Sequence, residues 1–165
     1  MIERTPARDI DAERLRAWGT LARAYQAVVP NVVAEIEADD GIDSGVFSVL
    51  SYLELAHPPG RMRFAELRSR MRVRYSQPGL TRMLQRMESD ELIERRPDTT
   101  DGRGTLLVIT RRGRARYNKA TTVYRVALGD HFARHMSSED ARTITEVLGR
   151  FLESAGHDDE VALPT

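Results

Sequence analysis

The stretch best equipped for chemistry is Ser76–Glu88, SQPGLTRMLQRME. Gln77, Thr81, Arg82, Gln85 and Arg86 offer carboxamides, a hydroxyl and guanidinium forks, the donors that suit phosphate oxygens and the acceptors on base edges. Between them Leu80, Met83, Leu84 and Met87 recur at i, i+3, i+4 and i+7, which gathers four apolar side chains on one face of a helix and turns the donors to the other. Ser76 can cap the first turn, and Pro78 can sit within it because its missing N–H has no intrahelical partner there. A short helix buried on one side and rich in Arg, Gln and Thr on the other fits the reading position of a helix-turn-helix. An ordinary amphipathic surface helix carries the same pattern, and this segment alone favours neither.

Other chemistries find little support. No catalytic carboxylate pair, phosphate loop or nucleophile–base arrangement stands out, so no enzyme and no cofactor are expected. The chain has no Cys, which removes disulfides, thiol redox sensing and Cys-ligated zinc together. His131 and His135 are spaced i,i+4 near Asp130 and Glu139 and would share a helix face. Solvated or packed imidazoles are nevertheless the expectation, with no metal site. No apolar run is long enough to span a membrane, and the N-terminal MIERTPARDIDAERL lacks the core of a signal peptide. The expected location is the cytoplasm. The formal net charge is +0, but residues 61–119 hold 16 Arg+Lys against 7 Asp+Glu, while the two flanks together carry −9. A basic middle between acidic ends can steer a polyanion to one face.

The elements that must hold the reading helix follow in chain order. Leu15, Trp18, Leu21, Ala22, Tyr25, Val28, Val29, Val32 and Ile36 have helical spacing, with Pro30 expected to kink or break the helix near Val28–Val29. The stripe is long for one small core, and burial against a second subunit explains it economically. Asp39–Gly45 reads as a loop, and Ser44 or Asp43 as the cap of a second helix carrying Val46, Val49, Leu50 and Leu53. His57–Gly60, HPPG, ends that helix. A short strand at Arg61–Phe64 and a helix marked by Phe64, Leu67 and Met71 come next. Arg68, Arg70, Arg72 and Arg74 then fan out around the base of the reading helix. Leu92 and Ile93 begin a strand, Pro97–Gly104 is a polar tip, and Thr105–Ile109 returns, which makes a basic-rimmed hairpin, or wing. In its tip, Asp101 can hold Arg103 and present it to a narrow minor groove. Thr110 caps a further helix, Ser137 and Asp140 form a capping-box-like pair, and Ile144, Val147, Leu148, Phe151 and Leu152 stripe the last helix.

This order, and several motifs within it, resemble the MarR family of bacterial transcription regulators. SQPGLTRMLQRMESDELIERR is similar to that family's recognition helix and its exit, and DGRGTLLVITRRG to its wing and the entry of the next helix. Thr81 and Arg82 match the Ser/Thr-Arg of the recognition helix, Glu88 the acidic residue after it, and Asp101 and Arg103 the wing's Asp-x-Arg. Arg68, Pro78 and Gly102 depart from the family pattern, and the absence of Cys excludes its thiol-oxidation branch. The resemblance covers roughly residues 12–155 and implies a mainly α fold with a small β-wing, a winged helix-turn-helix plus a helical dimerisation region. The expected divisions are a dimerisation arm at 1–43, a DNA-binding region at 44–110, dimerisation helices at 111–155 and a tail at 156–165.

The implied partners are a double-stranded DNA operator, a second copy of the chain and a small aromatic or phenolic acid effector. The expected function is sequence-specific transcription regulation by a ligand-responsive repressor. The DNA-contacting set is Arg72, Arg74, Ser76, Gln77, Thr81, Arg82, Gln85, Arg86 and Arg103, with Asp101 supporting the wing. Arg16, Tyr25, Tyr52, His57 and Met62 are the expected walls of an effector crevice. Two alternatives stay open: an effector-independent DNA-binding or bridging protein, and a relative that has left DNA for protein contacts or ligand sequestration.

Overall fold

The computed structural model describes residues 10–98 and 104–154. Helix α1 spans Ala12–Asp40, α2 Ser44–Glu54, α3 Phe64–Met71, α4 Gln77–Ser89, α5 Arg111–His131 and α6 Ser138–Ser154; strands β1 (Arg61–Arg63), β2 (Ile93–Pro97) and β3 (Thr105–Ile109) complete the described elements with a 3-10 turn at Ala133–His135. The strands form one antiparallel sheet in the order β1-β3-β2. Its register sets Met62 opposite Leu107 and Arg95 opposite Leu107 on the other side. This is the mainly α fold with a small β-wing expected from the sequence.

The core lies where α2, α3, α4 and the sheet converge. Leu50, Leu53, Leu67, Met71, Leu84 and Leu107 are among its fully buried side chains. Strand β1 alternates exposed, buried, exposed, which turns Met62 inward and leaves Arg61 and Arg63 outside. Local chemistry sets the boundaries. Asp43, not Ser44, caps α2 by accepting from Gly45 and Val46 N–H. Thr110 Oγ1 accepts from Gly113 N–H at the start of α5. Ser137 and Asp140 exchange the two bonds of a capping box, and the Ser137 hydroxyl and N–H, both donating to the Asp140 carboxylate, lower its pKa below the ordinary 3.8. Gly60, at φ +81, makes the turn into β1, where a side chain would be strained.

Two expectations are corrected. Pro30 does not break α1, which runs through it to Asp40 and is capped by the left-handed Gly41. Val32 and Ile36 beyond the proline are buried, and α1 packs along α5; tertiary packing outweighs the lost bond, and the Asn31 amide donates to the Ala27 carbonyl (2.8 Å) in the disturbed turn. His131 and His135 do not share a helix face, because α5 ends at His131. His131 turns to the Glu35 carboxylate of α1, and His135 is exposed in the 3-10 turn.

At the junction of α2 and α5, Phe47 stacks on Tyr117 (ring centroids 6.0 Å) and tilts against Tyr124 (5.4 Å). Burial pushes both phenols above their ordinary 10.0. The charge of Glu54 adds to the shift at Tyr117 and the Thr121 hydroxyl opposes it, while at Tyr124 the neighbouring Tyr117 adds to it. Above pH 10.0 the folded chain therefore holds protons that the unfolded chain has released, so stability falls as pH rises through the raised folded values. Urea unfolding on either side of pH 10.0 should show that fall, and Tyr117→Phe should flatten part of it.

Candidate nucleic-acid interface

Helix α4 is seated by one face. Leu80, Leu84 and Met87 are buried, Met83 packs partly against the same cluster, and Arg82, Gln85 and Arg86 are exposed on the opposite side. Ser76 Oγ caps the helix by accepting from Gly79 N–H (3.3 Å), with Pro78 in the first turn. The turn from α3 is tied by Arg74 and Tyr75 N–H groups donating to the Met71 carbonyl (3.1 and 3.0 Å). Tyr75 projects from it onto α2, where its hydroxyl lies 2.1 Å from where a Cβ on Gly45 would stand. Only glycine admits that contact, so Tyr75 locks α2 against the turn.

The predicted DNA set divides by position. Arg72, Arg82, Gln85 and Arg86 are exposed, and the three arginines make no ion pair among the described residues. Arg74 extends an Nη1 towards Ser48 Oγ (3.4 Å), and Gln77 Oε1 receives Arg68 Nη1 at the same distance. Thr81 donates its hydroxyl proton to the Gln77 carbonyl (3.0 Å), leaving the oxygen as an acceptor. A cavity of about 470 Å³ opens between α3 and the start of α4, lined by Arg68, Arg72, Tyr75, Ser76 and Gln77. Arg70 leaves the expected fan: it turns inward, donating to Glu66 (2.9 Å) with its guanidinium 5.5 Å over the Tyr52 ring. Asp101 and Arg103 lie outside the described residues.

The expected effector residues stand apart. Arg16 and Tyr25 lie on the exposed first half of α1, Tyr52 is half-buried beneath Arg70, His57 is exposed after α2, and Met62 is a core side chain of β1. None of the five lines the cavity between α3 and α4.

Sequence reasoning missed the ties that orient the hairpin. Arg95 of β2 donates to Glu88 Oε2 at the end of α4 (2.9 Å) and lies 5.6 Å over the Phe64 ring. Arg63 donates to the buried Asp98 (2.8 Å). The only available signal was the placement of acidic residues among the arginines of the basic block, which does not reveal pairing. No group of three metal-ligating side chains occurs among the described residues, and no helix among them is long and apolar enough to cross a membrane.

Three helices in the order α2, α3, α4 with a two-stranded hairpin packed behind them define a winged helix-turn-helix. The model of the MarR family matches residues 48–105, from α2 into β3. Over those residues the chain is similar to the MarR family. It is similar in fold to AbsC, a MarR family transcriptional regulator from Streptomyces coelicolor, with TM-score 0.76 and 21% identity over 92% of this chain and 100% of that one. Sco3205 from the same organism, a MarR family regulator solved in complex with DNA, gives 0.73 and 18% over 89% and 91%. A point mutant of Escherichia coli MarR complexed with operator DNA gives 0.67 and 21% over 88% and 99%. No curated protein matches the sequence.

The two faces of α4 should respond oppositely to truncation. Leu84→Ala should cost about 2–5 kcal/mol by emptying a packed site. Arg82→Ala should change stability by less than about 0.5 kcal/mol, as exposed positions do. Urea denaturation of both variants checks the assignment.

Proposed function

We propose that the chain is a homodimeric, sequence-specific binder of double-stranded DNA that represses transcription and loosens or tightens its hold when a small aromatic or phenolic acid binds. One observation carries the DNA reading: α4 is seated by its apolar face and presents Arg82, Gln85 and Arg86 to solvent, with no ion pair to either arginine among the described residues. Desolvating guanidiniums costs little where a polyanion replaces the water. The DNA complexes of Sco3205 and of the E. coli MarR mutant support the same reading by fold. Residues 44–110 are the DNA-binding region in this reading, with Arg72, Arg74, Ser76, Gln77 and Thr81 meeting phosphates and Arg103, steadied by Asp101, reaching the minor groove.

Dimerisation is supported by apolar surface that one chain leaves bare. On α1, Leu15, Trp18 and Tyr25 are more than half exposed, Trp18 at 65%; on α6, Phe151 is 62% exposed. Residues 1–43 and 111–155 would pair across a two-fold axis, with α1 and α6 of each copy covering those of the other. Bound to DNA, the two α4 helices would then stand roughly 34–36 Å apart, one duplex turn. The effector reading rests on family resemblance and on residue types, the polar tips of Arg16, Tyr25, Tyr52 and His57 and the apolar Met62, which suit a small aromatic anion.

Sedimentation at micromolar concentration should give a dimer; a monomer would overturn this architecture. On a duplex recovered from genomic fragments, Arg82→Ala or Gln85→Ala should lose about 1–3 kcal/mol of discrimination against random DNA. Arg72→Ala should weaken both duplexes alike and lower the salt slope by about one unit. An equal loss of specificity from the two classes would reject the division between base reading and phosphate contact. A panel of aromatic acids that neither binds nor shifts operator affinity would favour an effector-independent protein.

A further inference from the structure

Arg63 stands at the N-cap of α3, with φ −66 and ψ 139, yet its side chain makes no cap hydrogen bond. That position favours Ser, Thr, Asp or Asn, whose oxygen accepts from the free N–H groups of the first turn; a guanidinium has donors only. A cation there also meets the positive end of the helix dipole. On both counts Arg63 weakens the helix it begins. Its side chain serves elsewhere: Nε donates to Asp98 Oδ2 at 2.8 Å. Asp98 is 4% exposed, the one buried charged residue among those described. A carboxylate so far from water persists as an ion only when paired and hydrogen-bonded.

The pair bridges parts that sequence keeps 35 residues apart. Asp98 directly follows β2, and its N–H donates to the Gly104 carbonyl (2.9 Å), joining the two ends of the hairpin tip. Arg63 ends β1 and pairs with Leu106 on one side of the central strand β3, while Arg96 of β2 pairs with Leu106 on the other. The ion pair therefore reaches from the far side of β3 to the first residue of the helix-turn-helix. Nearer the base of the hairpin, Arg95 ties β2 to Glu88 and Phe64. With both ties closed, the hairpin cannot swing against α3 without exposing a charge-pair break.

We propose that Asp98 is a positioning residue of the wing: its buried carboxylate, held by Arg63, sets the direction in which the hairpin leaves the helix-turn-helix, and so which minor-groove steps beside the α4 site the wing reaches. This rests on the reading of the chain as a duplex-DNA binder. It accounts for an arginine at a helix start that it disfavours, and for a charge buried in a domain of modest size.

The test uses the full chain with Arg63→Ser, Asp98→Asn and the double variant, on a duplex recovered from genomic fragments by the wild-type protein. Arg63→Ser supplies α3 with a proper cap, which offsets part of the stability lost with the ion pair, and a purely structural role predicts unchanged DNA contacts in the folded variant. Methylation protection of guanine N7 reports the major groove, and hydroxyl-radical cleavage reports the flanking minor groove. Each variant should bind about tenfold more weakly, keep guanine protection and lose the flanking minor-groove protection. The double variant should be no weaker than the worse single, since both singles break one interaction. Flanking protection retained in every variant, parallel loss of both protections, or additive losses in the double would each overturn the proposal. Should a single variant fail to fold, the double variant removes both charges and decides between the same outcomes. A wild-type chain that protects no duplex fails the DNA reading itself and takes this proposal with it, an outcome separate from any behaviour of the variants.

Discussion

The contact on which the structure depends is the apolar seam of α4. Leu80, Leu84 and Met87 are each at most 1% exposed and join Leu50, Leu53, Leu67, Met71 and Leu107 in one cluster. Burying a side chain of this kind is worth about 1.5–3 kcal/mol, so three of them weigh as much as a typical domain's whole stability margin of about 5–15 kcal/mol. Rotating α4 by one residue would bring Arg or Gln into that seam. The helix therefore has one stable orientation, and the direction of Arg82, Gln85 and Arg86 follows from it. Tyr75, wedged onto Gly45, fixes the angle of the turn that feeds the helix.

Arginine is used in two ways, and the difference lies in what each fork meets. Arg70, Arg95 and Arg114 are bound within the chain, to Glu66, Glu88 and Glu54, and two of them also lie over aromatic rings. They stiffen the domain and lend it little external field. Arg72, Arg82 and Arg86 have no such partner among the described residues. Their charge projects into solvent from α3's end and α4, and the acidic flanks of the sequence do not quench it locally. The excess of charge in residues 61–119 is thus partly spent on internal ties, and the effective basic surface is narrower than composition suggests.

Much of this was readable because it is local. The period of Leu80, Met83, Leu84 and Met87 announced α4, and Ser76, Thr110 and the Ser137–Asp140 pair marked helix starts through short-range hydrogen bonds. The strands on either side of the wing tip were legible from the Gly-rich stretch between them. What escaped depends on distant partners. Pro30 is a breaker by local rule, yet packing of Val32 and Ile36 carries α1 past it. Arg70 looked like one of four equivalent side chains and is drawn inward by Tyr52, from another helix. The pairs Arg63–Asp98 and His131–Glu35 join residues 35 and 96 positions apart, and only the strand order and the α1–α5 packing bring them together. The expected effector residues suffered similarly: aromatic and polar types were identifiable, but not that Met62 points into the core and Tyr25 away from it.

The ends of the chain meet its middle at one crowded junction. Thr110, between β3 and α5, donates its hydroxyl to the Glu91 carbonyl and caps α5, while its N–H donates to the Leu92 carbonyl (3.1 Å). A Cβ on Gly113 would lie 2.0 Å from that same Leu92 oxygen, so α5 rests directly on the backbone leaving α4. Glu91 takes a positive φ of 59 to make the turn possible. Arg114 one residue on grips Glu54 at the end of α2. The start of α5 is thereby bound to the exit of α4, the return of the wing and the end of α2 at once. Its other end carries the packing with α1 and the turn into α6. A close-packed contact of backbone on backbone transmits displacement rather than absorbing it. A displacement of α5 would therefore reach the exit of α4 directly through the Gly113–Leu92 contact, and in parallel through α2, which meets α5 at Phe47–Tyr117 and Glu54–Arg114 and shares the core cluster with α4.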